Sequence, residues 1–209
     1  GLLHCPDCVT GALTSGQAGG AIADGWGRGA AQEGLTLMQL SGGGPGFPDV
    51  RSRALGGTTV SAVVQDPLGR PVPAVILIVE VTGRRTAYIE SAQACGLHLL
   101  AAGERNPMVT STYGVGQLVD AAVAGGATTV VVGLGGSGTN DGGAGMLAAL
   151  GTGDQVSLAG GGSSLKELDS NAPTGEACDP AHPPPDAMSL STPRTSPRRA
   201  TTARTQRSG

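Results

Sequence analysis

The chain has 209 residues, enough for one large domain or two small ones. Hydrophobic residues make up 39% of it and aromatic residues only 2%, so aliphatic side chains must build the core. The net charge of −3 gives no general attraction to nucleic acid, and no apolar run reaches the roughly 18 residues of a membrane span, so we expect neither partner.

The first 57 residues show a strand–helix–strand pattern. We predict a strand at 1–7, a helix within 12–31 that begins at Thr14 or Ser15, and a second strand at 35–40. This order is typical of an α/β unit of the Rossmann or flavodoxin kind.

Residues 58–169 are predicted to form a second α/β domain around a mixed sheet. Strands at 58–65, 71–81 and 86–91 are separated by the turns DPLG and TGRR, which indicates an antiparallel meander. A helix at 113–124, a strand at 128–132 and a helix through Met146, Leu147 and Leu150 follow.

Residues 170–209 are predicted to be a disordered tail. They are rich in proline, serine, threonine and arginine, and such a composition cannot bury enough apolar surface to offset the entropy of ordering. The last part is basic, but solvated disorder explains it better than contact with nucleic acid.

The stretch "GLGGSGTNDGGAGMLAALG" at 133–151 holds eight glycines directly after a predicted strand. So many glycines suggest a close approach of the backbone to a ligand. Glycine amides next to a helix N-terminus form an anion-binding concavity, to which Ser137 and Thr139 would add hydroxyls. Asn140 and Asp141 can cap the helix; alternatively Asp141 handles a metal ion or a hydroxyl proton, and spacing does not decide between these roles.

Two common phosphate motifs fit this loop poorly. The G-x-G-x-x-G pattern at 133–138 lacks a helix that opens inside the motif and an acid about 20 residues later. A Walker loop needs Gly-Lys-Ser/Thr, and Lys166 is the only lysine in the sequence.

The four cysteines, Cys5, Cys8, Cys95 and Cys178, form no regular disulfide framework. We also see no signal peptide in the opening residues, so we expect a protein of the reducing cytoplasm. Cys5 and Cys8 form a C-x-x-C, so a redox or zinc protein is a further alternative.

The glycine-rich stretch resembles the signature of the bacterial two-domain glycerate kinases. Four further segments resemble that family: "CPDCVTGALTS" at 5–15, "DPLGRPV" at 66–72, "YIESAQACGL" at 88–97 and "ERNPMVTSTYGVGQLV" at 104–119. The resemblance covers about residues 1–151, which suggests a truncated N-terminal half.

The resemblance implies ATP-dependent phosphorylation of D-glycerate to phosphoglycerate, with ATP and Mg²⁺. The residues that match the family's motifs are Asp7, Glu90 and Asp141 as catalytic acids, with Asp141 also on the metal. Those expected to bind substrate or phosphate are Gly135, Gly136, Ser137, Thr139, Asn140, Gly142 and Gly143.

Three positions depart from the family pattern. Thr10 stands where the family has a lysine, Gly42 where it has an aspartate, and Pro45 where it has a glutamate. Because one electrostatic stabiliser can be worth about 10²–10³ in rate, we expect impaired turnover. The alternative is a non-catalytic relic that binds an anion or a nucleotide.

Overall fold

Two separate β-sheets organise the chain, which has an α/β fold as predicted. The computed structural model describes residues 2–7, 9, 12–30, 32–151, 158–167 and 187–191. Within this described part, none of the helices combines the length and apolar character that crossing a bilayer requires.

The first sheet has two parallel strands, β1 (Leu2–His4) and β2 (Leu35–Leu37), connected by helix α1 (Ser15–Gly29). Thr14 begins the helix in a capping box: its hydroxyl accepts the Gln17 amide at 3.2 Å, and the Gln17 side chain accepts the Thr14 amide at 2.9 Å. The strand–helix–strand prediction is confirmed, although β2 ends three residues earlier than expected.

The second sheet has five strands in sequential order. Strands β3 (Thr58–Gln65), β4 (Pro71–Val81) and β5 (Arg84–Glu90) are antiparallel, which confirms the predicted meander. Strands β6 (Thr129–Gly133) and β7 (Ala187–Ser191) continue the sheet in parallel.

Strand β4 lies inside this sheet and is apolar over most of its length, as expected for a strand covered on both faces. On one face, Ile76 belongs to the same buried apolar cluster as Leu118 of helix α4 (Tyr113–Ala124). The other face packs on helix α2 (Phe47–Leu55), whose Phe47 is fully buried beside Tyr88.

The described part also contains two short α-helices, α3 (Ala92–Cys95) and α5 (Ala144–Ala149), and 3-10 helices at Leu97–Leu99, Ala102–Glu104 and Ser164–Glu167. Helix α4 matches its predicted bounds, and it packs closely on α5 because Gly116 has no Cβ to meet the Met146 carbonyl.

Helices α2 and α3 and strand β7 lie where the sequence indicated no element. Helix α2 precedes the predicted domain boundary at residue 57, yet it packs on the second sheet. Strand β7 lies inside the range predicted to be a disordered tail, where its backbone pairs with β6. The other residues of 170–209 lie outside the described part, and the three domain ranges stay predictions.

Candidate functional site

The carboxyl ends of both parallel strand pairs meet at one place. Glu90 ends β5 and is the register partner of Gly133, which ends β6. Asp7 follows β1, and the glycine-rich residues 41–46, here called the first glycine loop, follow β2. The first loop lies against the second glycine loop, residues 133–143. Ligands of α/β proteins bind outside the carboxyl ends of the strands, so this junction is the candidate site.

The two glycine loops touch through their backbones. A Cβ on Gly133 would lie 2.6 Å from the Gly43 carbonyl oxygen, and one on Gly135 would lie 2.8 Å from the Gly44 Cα. Side chains at these positions would force the loops apart. The close approach expected from the sequence is therefore made here by the chain itself, at two of the eight glycines.

Asp141 is almost completely buried and anchors the second loop. Its Oδ2 accepts the Thr112 amide at 2.8 Å, the Thr112 hydroxyl at 2.8 Å and the Gly145 amide at 3.1 Å. Its Oδ1 accepts the Gly143 amide at 3.1 Å. Each carboxylate oxygen has about two lone-pair sites, so the three donors fully occupy Oδ2, while Oδ1 accepts one. This geometry favours the capping role, and the role of Asp141 on a metal ion stays a prediction.

At the N-terminus of α5, which is part of the predicted anion site, the backbone amides already have acceptors in the chain. The Gly143 and Gly145 amides donate to the Asp141 carboxylate, and the Ala144 amide donates to its carbonyl at 3.0 Å. The Met146 amide donates to the Thr112 hydroxyl at 3.0 Å. These bonds bind the starts of α4 and α5 to each other.

Glu90 is the second buried acid, and it holds the first loop. Its Oε2 accepts the Gly46 amide at 2.8 Å and the Phe47 amide at 3.3 Å, at the N-terminus of α2. Burial raises the pKa of this carboxyl above its ordinary value, and the two backbone hydrogen bonds oppose the rise only in part. The Glu90 carboxyl thus caps the N-terminus of α2, and its burial favours the neutral, protonated form.

The middle of the second loop is more exposed. Gly136 has φ of +70°, and its carbonyl accepts the Leu97 amide at 2.8 Å. The Ser137 hydroxyl lies 2.9 Å from that of Thr139 and 3.7 Å from the Cys95 sulfur. In the described part of the chain, the amides of Gly135, Gly136 and Ser137 have no hydrogen-bond acceptor.

The other residues predicted for the site lie in the second loop, except Asp7, which follows β1. Asn140 and Gly142 are exposed, and Gly142 and Gly143 have positive φ of 62° and 86°. Asp7 is exposed at the end of β1. The structure thus brings Glu90 and both loops together, whereas Asp141 faces away toward Thr112.

Of the positions that depart from the family pattern, Pro45 is the best defined. It is exposed and approaches Gly136, where a Cβ would lie 3.4 Å from the proline Cδ. Gly42 is partly buried in the same loop, and Thr10 lies outside the described residues.

A cavity of about 60 Å³ adjoins the first loop, between the starts of α1 and α2. Arg53 lines it and donates to the Gln39 side chain at 3.0 Å. Gly16 leaves room for the guanidinium, since a Cβ there would lie 2.8 Å from the Arg53 Cζ. Asp49 also lines this cavity, so it holds charges of both signs.

The cysteine alternative gains no support from the described residues. Cys5 is exposed and Cys95 buried, both as free thiols, while Cys8 and Cys178 lie outside the described part. Among the residues with described positions, no three His, Cys, Asp or Glu side chains are grouped so that they could hold a metal ion.

Sequence reasoning missed Thr112, Gly43 and Arg53. Thr112 directly precedes α4, so its place as a candidate N-cap was a usable signal, although its bond to Asp141 spans 29 residues. The Gly42–Gly44 triplet also signalled a close contact. Nothing in the local pattern linked Arg53 to α1.

Comparison with known proteins identifies the lineage. The model of the Glycerate kinase family matches residues 2–178. Glycerate kinase of Halalkalibacterium halodurans is 40% identical over 80% of this chain and 44% of its own length. Glycerate 2-kinase of Escherichia coli is 35% identical over 80% of this chain and 45% of its own length. A crystal structure assigned as glycerate kinase 2 of Salmonella typhimurium LT2 is 33% identical, with a TM-score of 0.59, over 72% of this chain and 40% of that one.

The chain spans less than half the length of each of these three relatives. The match nevertheless includes the first sheet, strands β3 to β6 of the second sheet and both glycine loops, since the family model runs across residues 2–178. The chain belongs to the glycerate kinase family.

Proposed function

We propose that this chain binds ATP and D-glycerate at the junction of the two glycine loops and transfers the γ-phosphoryl group to a glycerate hydroxyl at a reduced rate. Family membership supports glycerate phosphorylation in general. The observation that carries the proposed location is the convergence of both sets of strand carboxyl ends on the first loop.

The exposed part of the second loop is the proposed phosphate-binding segment. The amides of Gly135, Gly136 and Ser137 are the proposed donors, with the Thr139 hydroxyl beside that of Ser137 and the exposed Asn140 next in the chain. Phosphoryl transfer depends mostly on positioning and charge stabilisation, which such donors supply.

The three predicted acids receive different roles in this proposal. Asp7 is exposed, so we assign it acceptance of the proton from the glycerate hydroxyl. Glu90 and Asp141 are buried under backbone donors, so they act as positioning residues for the two loops. Because Asp141 is buried and holds backbone and hydroxyl donors, no step is assigned through a metal ion on it.

We assign to Arg53, which lines the neighbouring cavity, the binding of an anionic group of the substrate. Both ATP and glycerate are negatively charged, and a guanidinium binds carboxylate and phosphate oxygens well. Arg53→Gln should raise KM, with a smaller effect on kcat, while Arg28→Gln at the end of α1 serves as the matched control.

The deciding experiment measures ATP binding and product formation separately. Calorimetry should show saturable ATP binding, and ³¹P NMR should detect phosphoglycerate at a rate below the about 1–100 per second of ordinary kinases. Asp7→Asn should abolish turnover but keep ATP binding, whereas Asp24→Asn on the exposed surface of α1 should change neither.

The alternative function is a non-catalytic anion- or nucleotide-binding protein. Its support is that Gly42 and Pro45 offer no carboxylate in the first loop. Binding of ATP without any product, even after Thr10→Lys, Gly42→Asp and Pro45→Glu are combined, would favour this alternative. Absence of both binding and turnover would contradict both functions.

A further inference from the structure

The outer edge of the five-stranded sheet carries an unprotected strand, β3. In the described part of the chain it pairs only with β4, so its other side presents backbone groups outward. Successive residues of an antiparallel strand bond alternately to the two sides. Which residues face outward is fixed by Gln65, whose amide donates to the Gln117 side chain at 2.8 Å rather than to β4.

This alternation makes Thr59, Ser61 and Val63 the outward-facing residues. Pro73, the register partner of Val63, agrees with the assignment because proline has no amide to donate across the pair. Within the described residues, nothing accepts from or donates to the outward backbone groups of these three positions.

Elsewhere in this sheet, glutamine side chains form hydrogen bonds with backbone groups that no neighbouring strand pairs. Gln93 accepts the Val75 amide at 2.8 Å and donates to the Val75 carbonyl at 3.2 Å, next to the point where β5 begins to pair with β4. Gln117 covers Gln65 in the same manner, and α4 packs against the Gln65 carbonyl through Gly114. The stretch from Thr59 to Val63 has no such cover in the described structure.

The side chains of β3 do not discourage pairing either. The strand reads TTVSAVVQ, without a charge or a proline, and is rich in β-branched residues. Val60 is 47% exposed and Val63 74% exposed. Natural edge strands usually carry a lysine, a proline or a bulge that prevents association.

We infer that this edge is an interaction surface for a second copy of the chain, which adds its own β3 in antiparallel orientation across a two-fold axis at Ser61. Ser61 then pairs with Ser61 of the second copy, and Thr59 with Val63. Each of these residues offers one donor and one acceptor, so the edge is self-complementary, as a two-fold interface requires. With no charge on the strand, the two copies meet without electrostatic repulsion.

The test uses charges at the proposed axis and the full chain. In sedimentation velocity over a concentration series, the unmodified chain should show a reversible dimer. Ser61→Lys places like charges directly opposite each other and should weaken the dimer about fivefold or more. Ser61→Glu should do the same, and a mixture of the two variants should restore association.

Val81→Lys is the matched control, because Val81 is 58% exposed at the end of β4 and away from this edge. Circular dichroism of each variant checks folding. A monomer at all concentrations, or a dimer that Ser61→Lys leaves intact, would overturn the inference, and so would equal weakening by Val81→Lys.

Hydrogen exchange gives an independent readout. In dilute solution the amides of Val60, Ala62 and Val64 should be protected by β4, while those of Thr59, Ser61 and Val63 exchange. Protection of the second set should appear only as the dimer forms. If all six amides are protected in dilute solution, the edge is covered within one chain and the inference fails.

Discussion

The two glycine loops have similar composition but are held in different ways. The first loop, residues 41–46, is held from outside, by Glu90 at the end of another strand. The second, residues 133–143, is held by its own Asp141, which connects it to the starts of α4 and α5. A high glycine content can therefore reflect contact between two segments of the chain, and it does not by itself identify a ligand loop.

The largest expected effect comes from the acid inside the second loop. Asp141→Ala removes the acceptor for four hydrogen bonds at a position that is 1% exposed. Buried donors without an acceptor are destabilising, so the free energy of unfolding should fall by about 3 kcal/mol or more. Urea unfolding measures this loss, and Asp120→Ala, at an exposed position of α4, should change stability little. A near-neutral Asp141→Ala would contradict the anchoring role.

An intermediate effect is expected where the two loops touch. In Gly135→Ala the new Cβ would lie 2.8 Å from the Gly44 Cα and 2.9 Å from its nitrogen, so one backbone must move. Overpacking of this kind typically lowers stability by about 1–3 kcal/mol. Gly20→Ala is the comparison, because that helical glycine has open space around its Cβ position and should gain stability slightly. Equal thermal melting temperatures for the two variants would argue against the contact.

The smallest effect concerns the acid that holds the first loop. Burial raises the pKa of Glu90 in the folded state, so its contribution to stability is fully present below the ordinary value of 4.5 and is lost as pH rises through the folded-state pKa. Glu90→Gln cannot titrate and should lack this part of the pH dependence. Urea unfolding from about pH 4 to about pH 8 measures the difference between the two proteins. If the free energies of unfolding of the two proteins change in parallel with pH, the pKa of Glu90 is not raised in the folded state.

Local patterns in the sequence predicted much of the second sheet. The DPLG turn works because Asp66 accepts the Leu68 amide at 2.8 Å and the Arg70 amide at 2.9 Å, which a local motif can specify. Alternating and continuous apolar runs then indicated the strands on either side. The Thr14 cap of α1 was predictable for the same reason.

Contacts between distant segments could not be predicted in this way. Helix α2 has a polar, charged sequence, and its place depends on Phe47, which is buried against the second sheet. The anchoring bonds of Asp141 could not be predicted, because Thr112, which donates to it twice, lies 29 residues away. Strand β7 depends on pairing with β6 rather than on its own sequence pattern.

The central claim, that the two glycine loops meet backbone to backbone, is tested most directly by a double-mutant cycle. Gly44→Ala, Gly135→Ala and the double variant are compared by urea unfolding. A Cβ on Gly44 would lie 3.6 Å from Gly135, an ordinary contact, so that single variant should be mild. Residues in contact couple by about 0.5–3 kcal/mol, and we predict coupling in this range. Additive effects, within about 0.3 kcal/mol, would contradict the account.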